Sequence, residues 1–270
     1  MDKLINTIAQ VVNEKRTLPF SVYSSFKEQQ LLNVPIVKPL LIVVLKGDKQ
    51  LGQDHQISCR SGDFIFLADS PALNMRNIPN KEAYLALLIE FDYQDYQGLQ
   101  TTVANKKHYY VGKTSTQLVK CLQQFVEYSC WAPEQLCSLR KRELLMLLSH
   151  LGHGDILAML GAAKLSHQLH DIFVQQSSEY MSIDKLCSQL AMSESTLRRK
   201  LKAEGTSVQQ IKDQARLGLG LHLCQTTSFA IGLIAEQCGY QSQSKFTERF
   251  KKRFGVTPSE LRKTQMADQG

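Results

Sequence analysis

The residues best equipped for chemistry in this chain are cations set at helical spacing. Lys245, Arg249, Lys251, Lys252 and Arg253 lie along SKFTERFKKRFG, with Glu248 the only acid among them. Phe246, Phe250 and Phe254 recur every four residues through the same stretch, so one edge of a helix is apolar and the other basic. Upstream, Arg198, Arg199, Lys200 and Lys202 accompany Leu197 and Leu201 in the same way. Residues 194–202 net +3 and residues 245–253 net +4. Such clusters neutralise phosphates, which gives salt-dependent affinity for a polyanion. For either run taken alone, the ordinary alternative is a solvated charged face.

The elements that would position these cations are short helices joined by tight turns. Ile231, Ile234, Ala235 and Cys238 fall at i, i+3, i+4 and i+7, the spacing of one helix face. Gly239 can turn the chain after them, and Ser242 can cap a second helix. Gly255 stops that helix, and Thr257-Pro258-Ser259-Glu260 reads as a capping box that opens another. The pattern repeats upstream. Ile183, Leu186, Cys187 and Leu190 form the first face, Ala191-Met192 stands where Gly239-Tyr240 stands, and Gly205 matches Gly255. Ser182 and Ser207 are the corresponding caps. Two short helices with a basic second member make a helix-turn-helix, and its repetition is a stronger signal than either copy.

This tandem unit resembles the DNA-binding domain of the AraC/XylS family of bacterial transcription regulators. The second copy carries the likeness most fully, in Ile234-Ala235, Gly239-Tyr240, Ser242-Gln243-Ser244, Phe246, Phe250-Lys251-Lys252, Phe254-Gly255-Val256-Thr257-Pro258 and Arg262. The first is similar through Leu186, Leu190, Met192-Ser193, Leu197, Lys200-Leu201 and Gly205-Thr206-Ser207. The chain departs from the family at Leu261, where Tyr is usual, and at Glu248, where Arg is usual. Gly218 and Gly220 follow Arg216-Leu217 in the linking helix, where better helix formers are usual; each costs roughly 0.5–1 kcal/mol relative to Ala. The resemblance implies that Ser195, Arg198, Arg199, Gln243, Ser244, Thr247 and Glu248 face base edges. It assigns Lys200, Lys202, Lys245, Arg249, Lys251 and Lys252 to DNA phosphates, with successive major-groove segments as the target.

Composition agrees with a reduced, two-domain protein. The chain has 270 residues, a net charge of +7 and a pI near 9.0. Residues 166–270 hold 14 Lys and Arg against 10 Asp and Glu, while residues 1–112 hold 12 against 11. The seven cysteines are odd in number and lack a C-x-x-C pair, which argues against a disulfide scaffold; Cys187 and Cys238 fall on apolar faces. Cys59 and Cys130 are the candidates for a redox sensor. The first residues are amphipathic without a continuous apolar core, so no signal peptide is expected. No apolar run approaches membrane-spanning length.

Before the helical repeat the texture is that of strands. Leu40–Leu45 is an unbroken apolar run, and residues 55–59, 63–69 and 83–92 read as further strands, with Pro71 and Pro79 in loops. Pro39, Gly47, Lys49, Ser61-Gly62-Asp63 and the strand over 84–92 resemble the cupin-like sensor domains found in this family. A metal-dependent cupin enzyme needs several His and a Glu in convergence, but His55 is the only histidine between residues 30 and 105. Lys46, His55, Arg60 and Arg76 are candidates for an anion site or for plain solvated charges. Residues 114–130 and the Leu144, Leu145, Leu147, Leu148 and Leu151 stripe are helical; they suit dimerisation or packing on the barrel. His153 and Asp155 read as turn residues. A further helix over 169–181, with Ile172, Phe173, Gln176 and Tyr180 on one side, leads into the repeat.

The expectation is an α+β multidomain protein. Residues 1–112 form a β-rich cupin-like sensor, 113–165 a helical linker or dimerisation region, and 166–270 an all-α tandem helix-turn-helix domain. Its expected role is a cytoplasmic transcription regulator of activator type, with double-stranded DNA and RNA polymerase as partners and a small-molecule or protein effector. No catalytic residue, metal or cofactor is expected, and no membrane. A homodimer is a further candidate. The alternatives are control by protein contact alone, or a reader fused to an enzymatic or redox sensor. An alkyl-accepting repair enzyme needs a Pro-Cys-His context, and Cys130-Trp131-Ala132-Pro133 lacks the histidine.

Overall fold

The computed structural model describes residues 1–12, 18–53, 56–68, 70–99, 107–175 and 181–265; His55, Gln176 and Tyr180 lie outside them. Helix α1 (Asp2–Val12) precedes strands β1 (Ser21–Ser25), β2 (Gln29–Ile36), β3 (Leu40–Lys46), β4 (Asp48–Leu51), β5 (Ile57–Arg60), β6 (Asp63–Leu67), β7 (Ser70–Ile78) and β8 (Tyr84–Glu90). A short α2 (Tyr93–Tyr96) and β9 (Tyr109–Lys113) follow. The strands form two antiparallel sheets, ordered β1-β8-β3-β6-β9 and β2-β7-β4-β5.

The apolar run of β3 is explained by burial on both faces. Leu41, Val43 and Leu45 face one core with Phe64, Phe66, Leu87 and Ile89, whereas Ile42 and Val44 face the other with Ile65, Leu67 and Ala86. A strand buried on both sides loses polar alternation. The remaining strands were less legible. β1, β2, β4, β7 and β9 escaped the sequence reading. β7 occupies a stretch taken for a loop, so Pro71 falls inside a strand. β2 carries Asn33 at φ 50° and shifts register twice against β7, which breaks its alternation.

Helices α3 (Thr116–Tyr128), α4 (Cys137–Leu148) and α5 (Asp155–Met159) cover the first core. Leu118, Leu122, Phe125, Leu144, Leu145 and Leu148 are buried there with Leu4 and Ile8 of α1. The leucine stripe thus packs in large part on the sheet, while Leu139 and Met146 remain exposed. Gly152 breaks the helical path at φ 92°. His153 accepts or donates a 2.9 Å hydrogen bond with the Tyr110 hydroxyl, and Asp155 pairs with Lys107 at 3.4 Å.

The C-terminal part is all helix: α6 (Leu165–Gln175), α7 (Ile183–Gln189), α8 (Glu194–Ala203), α9 (Val208–Thr226), α10 (Ile231–Gln237), α11 (Gln243–Phe254) and α12 (Pro258–Lys263). Leu169, Phe173, Leu186, Leu197, Leu201, Ile211 and Ala215 form a core for the first unit. The second unit has no core of its own. Phe246, Phe250 and Phe254 share one with Leu217, Leu221 and Cys224 of α9 and with Leu31, Val34 and Ile36 of the barrel. Among the described residues no helix is long and apolar enough to cross a membrane.

The two glycines of α9 have different reasons. A Cβ on Gly220 would lie 2.7 Å from the Phe246 ring, whereas one on Gly218 would meet nothing within 4 Å. Gly220 therefore permits α9 and α11 to touch, and α9 stays continuous despite both residues. Gly220→Ala should destabilise the protein by about 1–3 kcal/mol through overpacking, and Gly218→Ala should stabilise it by roughly 0.5–1 kcal/mol. Denaturant unfolding of both variants checks this, and shifts of the same sign would refute the close-approach explanation.

Candidate nucleic-acid interface and ligand cavity

Each helix-turn-helix is built by the same local chemistry. Met192 N–H reaches Cys187 C=O at 3.0 Å, and Tyr240 N–H reaches Ala235 C=O at 2.9 Å, closing equivalent turns after α7 and α10. The pivotal residue has positive φ in both: Gly239 at 73° and Ala191 at 49°. Glycine accepts this conformation freely and alanine does not, so the first turn is the more strained. Ser193 Oγ caps α8 by accepting from Thr196 N–H at 3.3 Å, and Ser242 Oγ caps α11 by accepting from Lys245 N–H at 3.3 Å. The Thr257–Glu260 capping box on α12 is complete.

The candidate DNA-facing side chains emerge on these two helices. On α8, Ser195, Arg198, Arg199, Lys200 and Lys202 are exposed. Arg198 folds back on its own helix to Glu194, with Nε at 2.7 Å, while Arg199 has no ion-pair partner among the described residues. On α11, Gln243, Ser244, Lys245, Glu248, Arg249, Lys251 and Lys252 are exposed and Thr247 is half-buried. Arg253 differs from its neighbours. It is half-buried where Asn33 of β2 donates to its carbonyl at 3.4 Å, so it does not belong to the solvated basic face. Cys187 is likewise only half-buried.

Helix α9 ties the two units together. Its Arg216 donates from Nε to Cys238 C=O at 2.6 Å and lies 4.2 Å over the Tyr240 ring, locking the second turn to the linking helix. At the other end Glu204 accepts from Leu165 and Ser166 N–H at 2.8 and 2.9 Å, capping α6.

A cavity of about 400 Å³ lies between the barrel and the C-terminal helices. Leu31, Ile36, Met75 and Leu88 line it from the barrel, and Leu219 and Leu221 line it from α9. Its polar groups include Tyr23 and His222, whose hydroxyl and Nδ1 are 3.4 Å apart; burial pushes the His222 imidazole below its ordinary value. At one margin Lys38 bridges the two parts of the chain, 2.6 Å from both Asp92 and Asp171 of α6. Burial opposes the Lys38 charge, but these bonds outweigh it and hold its pKa above the usual lysine value.

Lys49 enters the sequence reading only as part of the cupin-like pattern, with no site role, yet it is buried at the cavity. It is 4% exposed, donates to Asn77 Oδ1 at 2.7 Å, and has no carboxylate within ion-pairing distance among the described residues. Burial pulls its pKa down to about 8. The signal was present, because Lys49 is in phase with the buried Leu51 on β4. Of the four residues proposed for an anion site, Lys46 pairs with Glu82, Arg76 pairs with Glu28 and Arg60 is exposed, while His55 lies outside the described residues. Cys59 is buried and its thiol is pushed up to about 11, which suits packing and not redox sensing. The described residues hold no cluster of three or more metal-ligating side chains.

Fold and site together define a β-rich domain joined to a tandem helix-turn-helix. A family described as a helix-turn-helix domain matches residues 186–264. This domain is of the AraC/XylS type. It is 30% identical over 91 residues to the urease operon transcriptional activator of Escherichia coli, covering 34% of this chain and 31% of that protein. It is 34% identical over 103 residues to the regulator YdeO of Escherichia coli strain K12, covering 38% and 40%. The chain thus spans about a third of the length of the curated relatives it matches. Its fold is similar to that of an unbound variant of ToxT from Vibrio cholerae, at TM-score 0.65 and 16% identity over 94% of this chain and 100% of that one. ToxT bound to an unsaturated fatty acid matches at TM-score 0.63, with 16% identity over 94% and 98%.

A buried lysine charge without a counterion costs stability. Since its folded pKa lies below the unfolded 10.5, the full penalty is present below pH 8 and is relieved as pH rises from 8 towards 10.5. Lys49→Met should therefore be more stable than the wild type at pH 7, by on the order of 1–3 kcal/mol. The difference should shrink above pH 8. Paired denaturant titrations at pH 7 and 9.5 measure it, and the comparison between the two proteins cancels the buried tyrosines and cysteines that also titrate there.

Proposed function

We propose that the protein is a transcription regulator that reads DNA with α8 and α11 and senses a ligand in the cavity against α9. The observation that carries this reading is the pair of capped recognition helices, each with an apolar edge buried and a polar or basic edge in solvent, on one continuous linking helix. Ser195, Arg198, Arg199, Gln243, Ser244, Thr247 and Glu248 face base edges, and Arg199, free of ion pairs among the described residues, is the strongest candidate for a guanine. Arg198 must first leave Glu194. Lys200, Lys202, Lys245, Arg249, Lys251 and Lys252 meet phosphates and supply affinity without sequence choice.

The cavity fits an apolar chain that ends in an anionic group. Leu31, Leu40, Ile42, Leu88 and Leu221 give it an apolar wall, Asp92 in its lining is paired with Lys38, the buried Lys49 ammonium has no carboxylate partner among the described residues, and the similar fold of ToxT has been solved with an unsaturated fatty acid. No catalytic role is assigned. The three-part division at residues 112 and 165, activation through RNA polymerase and action in the cytoplasm belong to the same reading. Self-association is supported by the open groove between α3 and α4, where Leu139 and Met146 are exposed beside Lys120, Arg142 and Glu143.

Selection of the full chain on random duplex DNA at several salt concentrations tests the DNA reading. The bound pool should contain two boxes about one helical turn, or 34 Å, apart. Arg199→Ala should lose on the order of 1–3 kcal/mol of specific affinity without loss of fold. Removing Lys251 and Lys252 should lower the salt slope by about one unit each at equal specificity. A pool without enrichment, or a flat salt response, would reject the assignment.

A further inference from the structure

A continuous chain of buried polar groups leads from the cavity to the second helix-turn-helix. Lys49 Nζ donates to Asn77 Oδ1 at 2.7 Å, and Asn77 Nδ2 donates to Gln29 Oε1 at 3.0 Å. Gln29 Nε2 then donates to the Thr264 hydroxyl at 2.7 Å and lies 3.5 Å from Gln225 Oε1. Gln225, near the end of α9, is held in turn by Gln265, whose Nε2 reaches its backbone and side-chain oxygens at 2.8 and 3.0 Å. Lys49, Asn77, Gln29 and Gln225 are each no more than 6% exposed. From Lys49 to Thr264 each step passes a donor to an acceptor in the direction of α12, while Gln225 Nε2 donates back to Gln29 Oε1 at 3.3 Å.

The far end of the series is also where the barrel grips the reader. Phe26 and Lys27 N–H, in the turn between β1 and β2, both donate to Thr264 C=O, at 2.8 and 3.1 Å. Thr264 thus closes α12 with its backbone bound to the barrel turn and its hydroxyl bound to Gln29. The first helix-turn-helix has its own core with α6, and α6 is joined to the barrel through the Lys38–Asp171 pair, whereas the second unit shares its core with the barrel interior.

We propose that the Lys49–Asn77–Gln29–Thr264 series is the device by which the second helix-turn-helix responds to occupancy of the cavity. This rests on the ligand reading above. Lys49 is at once a cavity wall and the first donor of the series. An anionic group that draws its ammonium into the cavity removes the charged donor from Asn77 Oδ1. Asn77 is then free to turn, Gln29 Oε1 is left with Gln225 Nε2 at 3.3 Å as its donor, and the hold on Thr264 and Gln225 changes. In this medium a half-satisfied polar chain is unfavourable, so the rearrangement passes along it instead of stopping at the first bond.

The test uses the full chain, oleate as the probe, and Gln29→Met, which removes the central link without altering the cavity wall. Oleate affinity is read by calorimetry, and DNA affinity is read with and without saturating oleate. Wild type should show a shift in DNA affinity of about 5–150-fold. Gln29→Met should bind oleate within about threefold of wild type, while its shift falls below about twofold. An unchanged shift in Gln29→Met overturns the series as the coupling device while leaving the cavity reading intact. No oleate binding, or no shift, in wild type overturns the cavity reading and the device with it. Should Gln29→Met not fold, the isosteric Thr264→Val carries the same comparison, and an unchanged shift there overturns the proposal equally.

Discussion

Helix α9 must satisfy three surfaces with nineteen residues, and the rest of the architecture follows from how it does so. Ile211 and Ala215 complete the core of the first helix-turn-helix. Leu217, Leu221 and Cys224 complete that of the second, and the same stretch walls the cavity of the barrel. The close contact at Gly220 sets how near α11 can come, and Arg216 fixes the turn that aims it. A helix of this length spans about 28 Å, of the order of one turn of duplex DNA at 34 Å. The spacing of α8 and α11 is therefore tied to one continuous helix.

The second constraint is electrostatic. The contact between barrel and reader contains a buried lysine and a run of amides where apolar packing alone would hold the parts together more cheaply. Polar groups in such a place give the contact a defined geometry, which leucines cannot offer. The first unit is attached differently, through the Lys38 bridge at the margin of the cavity. The two halves of the reader thus meet the barrel by unlike chemistry, one with the Lys38–Asp171 ion pair on α6 and one by a shared core.

Much of the reader could be read from the chain alone. The capping serines, the positive-φ glycines and the Phe246, Phe250, Phe254 stripe act within one or two turns, so their consequences are local and appear where the residues stand. The barrel was harder. β3 declared itself because both its faces are buried, while β2 and β7 hid behind an asparagine at positive φ and a proline in the strand. The leucine stripe of α4 was visible, but which leucines face the sheet and which face solvent was not.

The sequence by itself determined the fold class, the repeat, and the cations available to a polyanion, because periodicity, capping and charge are carried by neighbours in the chain. Only the tertiary structure decided that Gly220 is a contact and Gly218 is not, and that Arg253 is half-buried with its carbonyl bonded to Asn33 of β2. It alone placed Lys49 in a cavity and joined it to Thr264. Those outcomes depend on which distant surfaces meet: residues 29 and 264 share a hydrogen bond across most of the chain's length, and a lysine is desolvated by walls that other elements supply. Burial and pairing of this kind have no local signature.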